Sequence, residues 1–144
     1  MEARSITRQS LTDDEYLHLL GICQWVFNSN AHFIIEMIDK EHHGNSVESW
    51  YELADLTAGQ LKDHKNLLVG ILPHDVYDLF DELVTMRNAI MHSFPTGENP
   101  DGYYVAFYKD KKTNEQVAID KEYLRGFIEK NEALCLRIHD VRGY

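Results

Sequence analysis

Apolar residues spaced three and four apart recur over four long stretches, and no other feature restricts the fold of this chain as strongly. In the first stretch Tyr16, Leu19, Leu20, Cys23, Phe27, Ala31, Ile34 and Ile38 keep that spacing. An α-helix turns every 3.6 residues, so such a row lies on one face and seeks a core. Trp25, Val26 and Ile35 fall off the row, which predicts a helix buried on two sides. Ahead of it, Thr12 and Glu15 have capping-box spacing, and Asp13 and Asp14 suit the positive end of the helix dipole. Residues 1–10 read as a short mobile lead-in, and Gly44-Asn45 is the expected stop. A second row, Val47, Trp50, Tyr51, Ala54, Ala58, Leu61, Leu68 and Leu72, starts after Ser46, is broken near Gly59 and ends at Pro73. Asp75 is placed to cap a third helix, whose row is Val76, Leu79, Phe80, Leu83, Met86 and Ile90. Asp120 is placed to cap a last one, with Leu124, Phe127, Ile128, Leu134, Cys135, Ile138 and Val141.

The period changes once. Residues 95–102, PTGENPDG, are dense in turn formers and read as a loop. Tyr103 to Tyr108 is aromatic and β-branched, a polar turn follows, and residues 115–119 resume the pattern. A β-hairpin over residues 103–119 is expected. A lone hairpin is marginal in water, so it must pack on the helices or on a second subunit. The expected architecture is one domain, residues 1–144. It is mainly all-α: a four- to five-helix up-and-down bundle with a β-hairpin inserted before the C-terminal helix.

Charge narrows the partners. With 14 Lys and Arg against 24 Asp and Glu, the formal net charge is −10. Such a surface repels phosphate backbones, so any contact with nucleic acid needs a local basic site. It also leaves room for a basic protein partner. The two cysteines, Cys23 and Cys135, sit in apolar helical rows and read as free buried thiols, which fits a reducing cytoplasm. No apolar signal segment opens the chain, and its most apolar run, residues 21–38, holds Gln24, Asn28, Asn30, His32 and Glu36. No membrane span is expected.

The residues that suggest chemistry close the third row: Met86-Arg87-Asn88-Ala89-Ile90-Met91-His92-Ser93-Phe94. On a helix Asn88 and His92 share a face. Arg87 lies one step of about 100° from Asn88 and about 7.5 Å below His92 along the axis, within reach of its long side chain. An imidazole shuttles protons near neutral pH. A guanidinium beside it grips a phosphate and stabilises charge in a transition state. This set suits metal-independent phosphodiester cleavage. Spacing alone also fits a plainer reading, a solvent-exposed Arg and a His that complements the helix dipole.

Arg87-Asn88, three residues and His92, at the end of a helix in a small helical chain, resemble the HEPN family. Its motif is an Arg, four to six residues and a His, commonly with a polar residue after the Arg. The resemblance implies a metal-independent endoribonuclease in which 2′-hydroxyl attack leaves a 2′,3′-cyclic phosphate. By it Arg87 and His92 are catalytic, and Asn88 orients them or the phosphate. It also implies RNA as substrate, a homodimer with a composite site, no cofactor, and a role as a toxin or phage-defence effector, with an antitoxin as a further partner. One subgroup carries a modifiable Tyr two residues after the His; here Phe94 has no hydroxyl, which argues against that mode of control. Family members without activity set the alternative, a non-catalytic helical interaction module.

Lys109, Lys111 and Lys112 on the hairpin turn are candidate RNA-binding residues, although lysines there also simply blunt a strand edge. Glu41-His42-His43 is a weak metal signal without a partner at fixed spacing, and no metal site is expected.

Overall fold

A computed structural model describes residues 6–41 and 72–143. In chain order these form α1 (Asp14–Glu41), α2 (His74–Met91), β1 (Phe94–Glu98), β2 (Tyr104–Lys109), β3 (Gln116–Ile119) and α3 (Lys121–Arg142). The strands make one antiparallel sheet in the order β1-β2-β3. This overturns the expected four- to five-helix all-α bundle. Among the described residues the fold is α+β, three helices with a three-stranded sheet. The expected helix over residues 46–72, its break and the Gly44-Asn45 stop lie outside the described residues, as do His42 and His43.

The sheet gained a strand where a loop was expected. Pro95 cannot donate a ladder hydrogen bond, yet β1 is an edge strand, where a missing donor is tolerated. It pairs Phe94 with Phe107, Pro95 with Ala106, Gly97 with Val105 and Glu98 with Tyr104, with a bulge between Pro95 and Gly97. Gly97 suits the bulge region because a Cβ there would lie 3.2 Å from Phe107 Cε2. The turn formers are confined to the link after β1, where the Asn99 side chain accepts the N–H groups of Asp101 and Tyr103. The expected hairpin is present: Phe107 pairs with Ala118 and Lys109 with Gln116.

Helix ends show which caps the chain uses. Asp13 caps α1, its carboxylate accepting the Tyr16 N–H at 3.0 Å. Thr12 instead donates to the Tyr104 carbonyl, and Glu15 turns outward to Lys121 and Arg125 on α3, so the expected capping box does not form. Asp120 caps α3 as its position predicts, accepting from the Tyr123 N–H at 2.8 Å. Before α2 the cap position is Pro73, with no side-chain cap; Asp75 sits in the first turn and pairs with Arg137.

The rows meet in one core. Phe27 of α1 stacks on Phe80 of α2 at 6.2 Å and tilts against Phe127 of α3 at 5.9 Å. Ile34, Leu83, Leu124, Leu134 and Ile138 are fully buried around them. Each such side chain removes roughly 1.5–3 kcal/mol worth of apolar surface from water. Within it Asn30 donates to the carbonyl and side chain of Asn131, which donates to the Phe127 carbonyl. Two buried amides that need one another fix the register of α1 on α3. The sheet is pinned by Tyr16, whose hydroxyl donates to the Ile119 carbonyl at 2.5 Å and accepts the Ala106 N–H at 3.2 Å. One side of α1 stays open: Ile35 is buried, but Trp25 is 79% exposed, against the expectation of a helix buried on two sides. No described helix is long and apolar enough to cross a membrane.

Candidate functional site

The end of α2 is held from three directions. The Tyr123 hydroxyl of α3 donates to the Met86 carbonyl at 3.5 Å, one residue before Arg87. Burial, with Tyr108 and Cys23 nearby, pushes the Tyr123 phenol up to about 12, so it remains a donor across the neutral range. The last turn closes when the His92 N–H donates to the Asn88 carbonyl at 3.0 Å, and the Ser93 hydroxyl donates to that of Ile90 at 2.7 Å. Two residues later the chain pairs with β2. The backbone that carries Arg87, Asn88 and His92 is therefore fixed by helix, cap and sheet together.

The side chains diverge. Arg87 is half-buried and turns toward α1, with its guanidinium carbon 5.8 Å from the centre of the Phe27 ring. It borders a cleft between α1 and α2 with Leu20, Cys23, Gln24, Asn28 and Met91. The cleft volume is about 290 Å³. Among the described residues no carboxylate pairs with Arg87. A half-buried guanidinium that gives up part of its hydration without an anion is an open position for one. Cys23 in the wall is no nucleophile: burial pushes its thiol up to about 12. Asn88 is half-buried and spends its carbonyl on the cap. His92 is exposed at the helix end. Neither Asn88 nor His92 lines the cleft, so one protomer brings the three together on one helix end and not into one pocket.

Lys109, Lys111 and Lys112 are all exposed. Phe94 pairs with Phe107, so His92, two residues before β1 pairing begins, and Lys109, two residues beyond Phe107, lie at the same end of the sheet. The turn is shaped by Asp110, which accepts the Lys112 and Thr113 N–H groups, and by Asn114 at a φ of 65°. The lysine ammonium groups have no ion pair among the described residues.

Other candidates separate from this end. His32 pairs with Glu36 at 2.9 Å and His74 with Asp78 at 2.8 Å, both on single helices. His139 lies 3.8 Å from the Cys135 sulfur, whose thiol is pushed up by burial. No group of three His, Cys, Asp or Glu side chains converges among the described residues. The sequence pattern missed Gln24 and Asn28 as neighbours of Arg87. Their signal was present, two amides four apart beside an apolar row, but nothing in the pattern said which helix faced them.

Compared with protein-family models, curated proteins and solved structures, the chain matches none.

Proposed function

We propose that this protein is a metal-independent endoribonuclease of HEPN type, acting in the cytoplasm as a toxin or phage-defence effector. One observation carries the reading. Arg87 stands half-buried at a cleft with no carboxylate partner among the described residues, five residues before an exposed His92. In the proposed reaction the 2′-oxygen bonds to phosphorus and the bond from phosphorus to the 5′-oxygen breaks. The 2′-hydroxyl loses its proton and the 5′-oxygen gains one. His92 moves a proton at one of these two atoms, and Arg87 holds the non-bridging oxygens as charge gathers there. Asn88 orients the helix end that carries both. Lys109, Lys111 and Lys112 supply the local positive field that a chain of net charge −10 otherwise lacks.

The divergence of Arg87 and His92 within one protomer favours a site built by two copies. The surface available for that is α1. From Tyr16 to Ile35 the chain has no Asp, Glu, Lys or Arg, so about 30 Å of helix is uncharged. Its exposed Trp25 borders a shallow depression with Gln24 and Asn28, which also line the Arg87 cleft. Two copies that repel one another elsewhere can meet there.

The test is incubation of total RNA with wild-type protein, Arg87→Ala and His92→Ala in excess chelator. Wild type should cleave and both variants should not. Equal cleavage by all three, or activity only with added metal, would sink the reading. The same uncharged face with Trp25 favours a second reading, a non-catalytic interaction module. It predicts no RNA ends at all and loss of partner binding in Trp25→Ala.

A further inference from the structure

We infer that Phe94 is the ring on which a nucleobase next to the cleaved phosphate stacks, an inference that rests on the ribonuclease reading above. Large apolar side chains in this fold are mostly buried, yet Phe94 is 69% exposed and Met91 59% exposed, and they flank the exposed His92. An exposed aromatic beside a proton-transfer group, in a chain whose other phenylalanines are buried or half-buried, calls for an occupant. The ring is also firmly placed. It starts β1 opposite Phe107 in the ladder, and Phe107 itself lies close against Gly97, so the backbone that carries Phe94 is fixed by the sheet. Side chains alternate along a strand, so Lys109 lies on the same face as Phe107, two residues nearer the turn. One face of the sheet end thus carries an exposed ring followed by an ammonium with no ion pair among the described residues. Phe94 follows His92 by two residues, across the helix cap.

That order is what a single strand presents: a flat base, then the next phosphate. Stacking on an exposed ring contributes about 1–3 kcal/mol per base and is blind to base identity. A paired base cannot reach the ring without leaving its stack. Phe94 therefore selects unpaired RNA and positions it for His92.

The experiment measures binding of a fluorescent single-stranded 2′-O-methyl oligonucleotide, which cannot react, beside a duplex of the same length. Wild type, Phe94→Ala, Phe94→Trp and His92→Ala are compared, with cleavage of unmodified RNA read in parallel. Phe94→Ala should weaken single-strand binding by about 5- to 150-fold and raise KM more than it lowers kcat. Phe94→Trp should bind as wild type, His92→Ala should bind without cleaving, and the duplex should bind all four weakly and alike. If wild type neither binds nor cleaves RNA, the ribonuclease reading fails and this inference with it. If wild type cleaves but Phe94→Ala binds and cleaves equally well, stacking alone is overturned. A change of sedimentation mass in Phe94→Ala, with RNA binding intact, would overturn it too, because the ring would then belong to a protein interface.

Discussion

The outer face of α3 and the end of α2 use positive charge in opposite ways. On α3 each described cation up to Arg137 meets an acid on another helix: Lys121 meets Asp13 and Glu15, Arg125 meets Glu15, Lys130 meets Glu82, and Arg137 meets Asp75. At the end of α2 and on the adjoining turn, Arg87, Lys109, Lys111 and Lys112 have no such partner among the described residues. A chain with 24 acids has no shortage of carboxylates, so the unpaired group is not explained by scarcity. Pairing on α3 ties helices together. Its absence at the α2 end leaves cations available to something outside the chain. The fold and the candidate site are thus separable, and mutations can show it.

The largest effects should fall on activity and not on stability. His92→Ala and Arg87→Ala should each lower RNA cleavage by at least about a hundredfold, the low end for a lost proton-transfer or charge-stabilising group. The melting temperature of His92→Ala should stay near wild type, because the ring is exposed. A large drop in its melting temperature would make His92 structural and erase the contrast. Next comes the core: Phe27→Ala removes the ring that α2 and α3 share and should cost about 3–5 kcal/mol, read by urea denaturation. It also removes the support beneath Arg87. Asn131→Ala takes the side-chain oxygen from the buried Asn30 amide, leaving it the backbone carbonyl alone, and should cost about 1–3 kcal/mol.

Smaller still is the pH response. Burial raises the Cys23 thiol and the Tyr123 phenol from 9.0 and 10.0 to about 12. The unfolded chain ionises first as pH rises, so their contribution is complete below about pH 9 and is lost progressively toward 12. Asp13 and Asp75 are held below the ordinary carboxylate value by Lys121 and Arg137, so their contribution is present above about pH 4 and fades as acid protonates them. Melting temperature against pH reads both limbs. Smallest is Arg137→Ala, an exposed pair that salt screens. It should leave cleavage unchanged, whereas a loss like that of Arg87→Ala would remove the distinction between the two faces.

Much of this was legible in the sequence, for reasons that can be named. The rows of α1, α2 and α3 follow from burial on one face, which periodicity reports directly, and β2 and β3 follow from their aromatic and β-branched residues. β1 was not legible because Pro95 and Gly97 are turn formers by local preference, and only the edge position beside β2 makes them a strand. Thr12 lost the cap to Asp13 because the Tyr104 carbonyl, far along the chain, took its hydroxyl. Trp25 lay open because an off-row position shows that a face is apolar and not what covers it. At the site, spacing placed Arg87, Asn88 and His92 on one helix end. It could not show that Arg87 leans on Phe27 while His92 faces water, since that depends on where α1 packs.

The most direct test of the α2 end as a cleavage site is the chemistry of the RNA ends it leaves, read by mass spectrometry after digestion in chelator. Wild type should leave 2′,3′-cyclic phosphate and 5′-hydroxyl ends, and His92→Ala should leave neither. Ends bearing 3′-hydroxyl and 5′-phosphate, or the same products from His92→Ala, would contradict it.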